Sequence, residues 1–320
     1  MPDERQTPGQ PAPLPITDLR AQVFALYKQG AWSEALALLA PIRPAEPAEA
    51  ATVIFWRACF LTLLGRREEA LGALEEGLRQ GLWWAEQRLR FDPDLQALQG
   101  DPALEAVLDE CARRRAAAEV HCQPRRLVAA PATRPAPLAL VLHGYDGTAE
   151  ETLPAWEPLA AQGWLVAAPQ SLQLAGMAGG HWSDDARARA DVALHLGELV
   201  AEGAADPARL LLGGFSNGAR AALTLALTGA IPASYMVGVA GALRDETLAT
   251  LDASALRAAA PRVLWLVGER DQLVAERAGP QAAWLAARGV PVTVEMLPGI
   301  GHDLPPDLAA RVAAWLAAGG

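Results

Sequence analysis

The sequence predicts a helical region followed by an α/β domain, with a mostly parallel sheet covered by helices on both faces. Between residues 18 and 115, apolar residues recur at helical spacing, and glycines and prolines separate the segments. From about residue 125, short apolar runs alternate with amphipathic stretches, which is typical of parallel strands joined by helices. We therefore divide the chain into a disordered, proline-rich N-terminus (1–15), a helical domain (16–120) and an α/β domain (121–320).

Predicted strands and helices alternate along the α/β domain. Arg126–Ala130 is a candidate edge strand, because an edge position tolerates the prolines nearby. The apolar runs that predict the other strands lie at 138–142, 165–168, 210–213, 235–239, 263–267 and 292–296. The helices between them are expected near 151–162, 186–202, 217–228, 245–258, 275–288 and 305–317.

An internal repeat organises the helical domain. The stretch LYKQGAWSEALALL starts at Leu26, and LTLLGRREEALGAL starts 35 residues later at Leu61. In each, a glycine marks a helix-ending turn, and "EAL" opens the second helix of a pair. This layout resembles a tetratricopeptide repeat, whose period is about 34 residues. Such units need stacked neighbours, so we expect this domain to pack on the second domain or on a protein partner.

Two features of the helical domain remain open to interpretation. Trp83 and Trp84 either seal the interface of a helical hairpin, which we favour, or line a peptide groove. Asp92-Pro93 and Asp101-Pro102 are predicted helix starts, in which the aspartate caps the helix that the proline opens.

Composition excludes several classes of function. The net charge of −10, without a basic cluster, argues against nucleic-acid binding. Three cysteines without ligand spacing predict neither a disulfide framework nor a metal site. No apolar run reaches the roughly 18 residues of a membrane span, and the N-terminus lacks the apolar core of a signal peptide. The simplest expectation is a cytoplasmic protein.

A serine between two glycines marks the end of one predicted strand. Gly214-Phe215-Ser216-Asn217-Gly218 joins the run at 210–213 to the helix that starts at Asn217. A turn this tight crowds the backbone, and the glycines remove side chains that would collide. The pattern favours a nucleophilic serine that projects at the carboxyl end of the sheet.

A serine nucleophile needs a base and an orienting carboxylate, and the chain supplies both after later strands. Asp271 follows the run at 263–267, and His302 lies in a glycine-containing loop after the last strand. Because parallel strands gather their carboxyl ends along one edge, we expect the three side chains to converge. Glu269 and Asp303 are the competing carboxylates.

The loop LVLHGYDGT, residues 140 to 148, is the expected oxyanion loop. His143-Gly144 makes a sharp turn that presents the backbone N–H of Tyr145. The second donor is the backbone N–H of Asn217, directly after the nucleophile. We interpret His143 as a structural histidine that holds this loop, in preference to a second base.

These motifs resemble those of a serine hydrolase of the α/β-hydrolase fold, over about residues 125 to 320. The compact length without a lid insertion is most similar to the phospholipase/carboxylesterase and dienelactone-hydrolase-like branch, which implies cleavage of esters or thioesters without a cofactor. Dienelactone hydrolases use a cysteine nucleophile where this chain has Ser216, so the resemblance favours esterase chemistry. The motifs that carry it are His143-Gly144, Gly214–Gly218, Gly268-Glu269-Arg270-Asp271 and Gly299-Ile300-Gly301-His302.

The substrate is harder to predict from the sequence. The loop at 170–185 is rich in glycine and small apolar residues, and Met177 and Trp182 are candidate pocket residues. The expected substrate is a small-molecule ester or thioester with a short or medium acyl group. Two alternatives stay open: an acyltransferase or peptidase that uses the same serine, and an interaction protein with a vestigial hydrolase domain.

Overall fold

The computed structural model describes residues 16–251, 256 and 261–319. It divides the chain into two compact units, residues 1–118 and 119–320. The expected disorder of residues 1–15 and the part of the predicted helix 245–258 beyond Leu251, apart from Leu256, lie outside the described residues. Among the residues described, none of the helices combines the length and the apolar character needed to cross a membrane.

Within its described residues, the first unit consists of helices and the turns that join them. Its core includes Leu19, Leu39, Val53 and Phe60, which are all buried. The helices are α1 Ile16–Lys28, α2 Trp32–Leu39, α3 Pro47–Leu63, α4 Arg67–Arg79, α5 Glu86–Phe91 and α6 Pro102–Glu119, with a 3-10 helix at Pro93–Leu98.

The two halves of the sequence repeat end their first helices in the same way. Gly30 follows α1 and Gly65 follows α3, and both have positive φ angles, +67° and +73°. In each turn a backbone N–H reaches back to a carbonyl five residues earlier, from Ala31 to Leu26 and from Arg66 to Leu61. Glycine adopts this left-handed conformation without strain, which explains why it recurs at the repeat position. The tetratricopeptide assignment itself stays a prediction.

The structure also places the tryptophans and the Asp-Pro pairs of this unit. Trp84 is buried, donates its indole N–H to the Ala51 carbonyl at 2.8 Å, and packs against Gly77. Trp83 is buried too, so both side chains seal the helical packing and neither presents an open face for a peptide groove. Asp92 and Asp101 each accept a backbone N–H two residues later and so cap the helices that Pro93 and Pro102 open.

The second unit contains a seven-stranded sheet of order β1-β3-β2-β6-β7-β8-β9. Each neighbouring pair is parallel except β1 with β3, which places an antiparallel strand at one edge. This arrangement confirms the mostly parallel sheet that the sequence predicted. The strands are β1 Arg126–Ala129, β2 Ala136–Leu142, β3 Leu165–Pro169, β6 Ala205–Phe215, β7 Tyr235–Val239, β8 Arg262–Gly268 and β9 Val292–Leu297, with a separate two-stranded ribbon of β4 Gln173–Leu174 and β5 Gly180–His181.

Helices cover both faces of this sheet. In the buried strand β2, Leu138 and Leu140 enter one core cluster, and Ala139 and Val141 enter the other. This follows because successive side chains of a strand point to opposite faces of the sheet. The first cluster contains residues of α8 Asp185–Ala201, α9 Asn217–Leu227 and α11 Gln272–Ala286; the second contains residues of α7 Ala149–Trp156, the 3-10 helix Glu157–Gln162 and α12 Leu308–Ala317.

Three predicted elements differ most from the observed ones, and two of these differences have physical causes. The helix expected at 151–162 ends at Trp156 and continues as the 3-10 helix, in which Pro158 lacks the N–H that an α-helix needs. The predicted helix at 245–258 is described as the short α10 Asp245–Thr250. Strand β6 begins five residues earlier than predicted, because residues 206–209 are polar or small and gave no apolar signal.

Candidate active site

Ser216 lies at the carboxyl end of the central strand β6, directly before α9. Its backbone has φ +51° and ψ −113°, a conformation that L-residues rarely adopt and that costs on the order of 1–3 kcal/mol. The Ser216 N–H donates to the Val239 carbonyl at 2.8 Å, which ties the turn to the neighbouring strand. The strained turn is therefore held by the sheet around it.

The two flanking glycines are required by close approach. A Cβ at Gly214 would lie 2.6 Å from the carbonyl carbon of Gly218, and a Cβ at Gly218 would lie 2.4 Å from the carbonyl oxygens of Leu142 and His143. Both distances are far below van der Waals contact. The glycines thus allow α9 to start against the end of β2, as the sequence pattern predicts.

Three predicted site residues come together at this edge of the sheet. His302 Nε2 lies 2.8 Å from Ser216 Oγ, and His302 Nδ1 lies 2.6 Å from Asp271 Oδ2. A carboxylate only accepts, so Nδ1 carries the proton and Nε2 is left to accept from the serine hydroxyl. The Asp271 side chain is 6% exposed and the His302 side chain 48% exposed, so a shielded carboxylate faces an imidazole that is open to solvent.

The competing carboxylate Glu269 has a different partner. Its Oε2 accepts the Gly299 N–H at 3.0 Å, and the Arg270 N–H donates to the Ile300 carbonyl at 2.9 Å. These bonds hold the histidine loop against the end of β8. Asp271, and not Glu269 or Asp303, is the carboxylate bonded to His302.

His143 is held by polar groups on both ring nitrogens. Its Nε2 lies 3.2 Å from the Ser171 backbone N–H and 3.3 Å from the Gln170 amide nitrogen, and its Nδ1 lies 2.8 Å from the Gly144 carbonyl. A backbone N–H only donates, so the proton is on Nδ1 and is donated to Gly144. Burial lowers the pKa of His143 to about 4, which leaves the ring neutral near pH 7.

The loop that His143 holds lies against Phe215 and Ser216. A Cβ at Gly144 would lie 3.0 Å from the Phe215 ring and 3.7 Å from Ser216 Cβ. The predicted oxyanion residues flank this contact: Tyr145 follows Gly144, and Asn217 is the first residue of α9, where the backbone N–H has no intrahelical acceptor. Their role as donors stays a prediction.

Trp182, predicted as a pocket residue, is fully buried and therefore has no surface on which to touch a substrate. Its indole N–H donates to the His143 carbonyl at 3.1 Å, and its backbone N–H donates to Asn217 Oδ1 at 2.6 Å. The tryptophan thus connects the two segments that contain the predicted oxyanion donors. We correct its role to one of support behind the site.

Met177, the other predicted pocket residue, lies half-buried between β4 and β5.

The Tyr145 ring stacks on His181, with centroids 5.6 Å apart and planes 16° from parallel. Sequence reasoning used only the backbone of Tyr145 and did not single out His181. Because β5 is only two residues long, no period was available to predict where His181 lies.

A buried arginine that sequence reasoning missed fixes the same region. Arg220, in α9, donates to Asp185 Oδ1 at 2.7 Å and to the Trp182 carbonyl. Burial lowers the pKa of Arg220, and the bond to Asp185 opposes that shift. The N-terminus of α8 is capped by Asp184, whose side chain accepts the N–H groups of Ala186 and Arg187. Asp185 instead neutralises the buried arginine.

Comparisons with known proteins give one match by sequence. Residues 16–119 match the family described as "A/B hydrolase-like, N-terminal domain". No curated protein matches the chain.

Solved structures are similar at low identity. The crystal structure of an uncharacterized protein from Bacillus cereus ATCC 10987 is 19% identical, with 95% of this chain and 98% of that chain covered, at a TM-score of 0.50. The crystal structure of esterase PE8 is 20% identical, with 61% of this chain and 98% of that chain covered, at a TM-score of 0.51. At these identities, the likeness establishes the fold.

Proposed function

We propose that this chain, an α/β-hydrolase with an N-terminal helical region, is a serine hydrolase that cleaves carboxylic esters or thioesters. One observation carries the proposal: a continuous hydrogen-bonded path runs from Asp271 through His302 to Ser216. A serine hydroxyl is a weak nucleophile at neutral pH, and this path supplies the base and the carboxylate that activate it. The fold neighbour named as an esterase agrees with this class of reaction.

The first half-reaction forms an acyl-enzyme. Ser216 Oγ attacks the carbonyl carbon of the substrate as its proton moves to His302 Nε2. The bond from that carbon to the leaving oxygen or sulfur then breaks, and the alcohol or thiol departs with the proton from His302. Asp271 stays ionised throughout and stabilises the imidazolium that forms between these steps.

The second half-reaction releases the acid. Water gives one proton to His302 and attacks the acyl carbon, and the proton then returns to Ser216 Oγ as the ester bond to the enzyme breaks. In both halves, the backbone N–H groups of Tyr145 and Asn217 stabilise the oxyanion, each by about 3 kcal/mol. Together, the two half-reactions convert an ester or thioester and water into an acid and an alcohol or thiol. This overall reaction balances without a cofactor.

Labelling with a fluorophosphonate tests the nucleophile. We expect the wild-type chain to be labelled and Ser216→Ala to lose both labelling and turnover of p-nitrophenyl butyrate. Ser234→Ala is the matched control, because Ser234 is an exposed serine just before β7, at the opposite end of the sheet from Ser216. Labelling that survives Ser216→Ala would remove Ser216 from this role, and no labelling of wild type would favour a vestigial site.

A substrate panel tests the class of reaction. Aryl esters, acyl thioesters and aminoacyl anilides are compared by kcat/KM, with and without an added alcohol as acyl acceptor. We expect hydrolysis of esters or thioesters to exceed that of anilides, because the leaving group of an amide is far poorer. Preferential anilide cleavage would indicate a peptidase, and transfer that exceeds hydrolysis would indicate an acyltransferase.

A further inference from the structure

A cavity of about 260 Å³ in the helical unit is lined by residues of α3, α4 and the turn after α2. Its size lies just below the range of about 300–1,000 Å³ that is typical of small-molecule sites. Its polar lining consists of Arg43, Arg57, Glu76 and Gln80, and the other six lining residues are apolar. The proposed hydrolase reaction makes no use of this cavity.

The two arginines of the cavity are held side by side. Arg43 Nη1 donates to the carbonyls of Ala40 and Ile42 at 2.7 and 2.8 Å. Arg57 Nη2 donates to the same two carbonyls at 3.3 and 3.0 Å, and also to the carbonyl of Leu39. Because the two guanidinium groups share their acceptors, two like charges lie close together and repel each other.

Neither arginine has a carboxylate as its partner. Among the described residues, no acidic side chain forms an ion pair or a hydrogen bond with Arg43 or Arg57. Arg57 Nε is buried and forms no hydrogen bond. Burial lowers the pKa of Arg57, and the charge of Arg43 lowers it further. The protein thus holds two unpaired positive charges in a partly buried setting.

Capping of α2 explains only part of this arrangement. The last carbonyls of a helix need donors, and arginine side chains near the C-terminus of a helix supply them. Arg57 Nη2 by itself reaches all three carbonyls at the end of α2. Arg43 therefore adds a second positive charge to carbonyls that already have a donor.

The charges of the lining indicate the charge of a ligand. Glu76, the one acidic residue of the lining, forms an ion pair with Arg79 and accepts the Gln80 amide N–H at 2.8 Å. The lining therefore carries two positive charges and one negative charge. A single negative charge makes it neutral, whereas Glu76 would repel a dianion.

The shape and polarity of the cavity indicate the rest of the ligand. Guanidinium groups present planar donors that match the oxygens of a carboxylate. A small inorganic ion would leave the apolar walls unfilled, among them Ile42, Pro44 and Ile54. An alkyl or aryl group attached to the carboxylate would cover these walls and remove them from water.

We propose that this cavity binds a small monocarboxylic acid in its ionised form, with the carboxylate on Arg43 and Arg57 and the apolar body against Ile42 and Pro44. The site is independent of Ser216, so it stands or falls apart from the hydrolase activity.

Isothermal titration calorimetry on the full chain at pH 7 tests this proposal with a matched pair of probes. Hexanoate carries the negative charge, and hexanamide has nearly the same shape without it. We expect hexanoate to bind about tenfold or more tightly than hexanamide, because the amide gives the arginines no countercharge.

Variants of the exposed Arg43 locate the binding. We expect Arg43→Gln to weaken hexanoate binding about fivefold or more, and Arg43→Lys, which keeps the charge, to stay within about threefold of wild type. Arg113→Gln is the matched control, because Arg113 is an exposed arginine of α6 outside the cavity, and it leaves binding unchanged. Circular dichroism checks that each variant is folded.

Several results would overturn the proposal. Equal binding of hexanoate and hexanamide would show an apolar cavity without charge recognition. Hexanoate binding that Arg43→Gln leaves unchanged would place the acid elsewhere in the chain, for example at Ser216. Inorganic phosphate that binds more tightly than hexanoate, and loses this affinity in Arg43→Gln, would identify a phosphate site. No heat with any probe, in a folded wild-type chain, would also reject it.

Discussion

Two histidines of the α/β unit occupy similar places in the sequence and opposite environments in the structure. His143 follows β2 and precedes a glycine, and His302 follows β9 and a glycine. His143 is 1% exposed and bonded to backbone groups and an amide, whereas His302 is half exposed and bonded to a carboxylate and a hydroxyl. The comparison teaches that the partner and the burial, and not the residue type or its glycine neighbour, decide which histidine is suited to move a proton.

The largest expected effect follows removal of the exposed histidine. We expect His302→Ala to lower kcat on the order of 10⁶-fold, because the serine loses its base. Stability changes little, since the side chain is half exposed. Steady-state kinetics and a thermal melt measure the two effects. If His302→Ala keeps one-tenth of the wild-type activity, His302 is not the base, and the contrast with His143 no longer holds.

Removal of the carboxylate charge is expected to have the next largest effect. Asp271→Asn presents either an amide N–H or a carbonyl to His302 Nδ1, so the correct tautomer is no longer enforced. We expect kcat to fall about 10⁴-fold. Glu269→Gln is the matched control, because that carboxylate bonds to the Gly299 N–H. Equal losses in the two variants would contradict the assignment of Asp271.

The buried histidine predicts a dependence of stability on pH. The pKa of His143 is lowered to about 4 in the folded chain, against about 6.5 when unfolded, so the unfolded state binds more protons between these values. The contribution of His143 to the free energy of unfolding is fully present above pH 6.5. It falls by up to about 3 kcal/mol as the pH drops to 4. Urea unfolding at pH 7 and 4.5 measures it.

His143→Gln isolates this contribution, since the carboxylates and His195, whose pKa burial also lowers, titrate alike in both proteins. We expect a smaller difference in unfolding free energy between the two pH values than in wild type. An unchanged difference would show that His143 is not held neutral by the fold.

The smallest effect concerns the support of the His143 loop. Trp182→Phe removes the indole N–H and leaves the His143 carbonyl without that donor, at a cost of about 1–2 kcal/mol. Trp156→Phe is the matched control, since Trp156 is equally buried and its indole N–H has no partner among the described residues. Chemical denaturation of both variants measures the difference. Equal losses would show that the indole hydrogen bond contributes nothing.

Sequence reasoning located features that depend on short-range chemistry. Strand β7 was predicted with the bounds that the structure has, because Tyr235–Val239 is a continuous apolar run between turns. The glycines around Ser216 identified the elbow, because only small residues fit there. The mostly parallel sheet followed from the alternation of strands and helices.

Other features that depend on long-range contacts were missed, or were predicted with competing residues left open. The choice between Glu269 and Asp271 depends on where residues 299–302 lie, which no local pattern encodes. The role of Trp182 was wrong because a tryptophan in a glycine-rich loop gives the same signal whether it faces a substrate or the interior. Arg220 was missed because its partners lie 35 and 38 residues away in the chain.

The absence of a side chain at Gly268 allows the loop before His302 to lie against the end of β8. A side chain at Gly268 would begin 2.1 Å from the Gly301 carbonyl oxygen, directly before His302. Alanine there would push the last loop outward and carry the imidazole with it, although position 268 touches neither the hydroxyl nor the carboxylate. We therefore expect a substitution at position 268 to lower the proposed hydrolase activity although Ser216, Asp271 and His302 are unchanged.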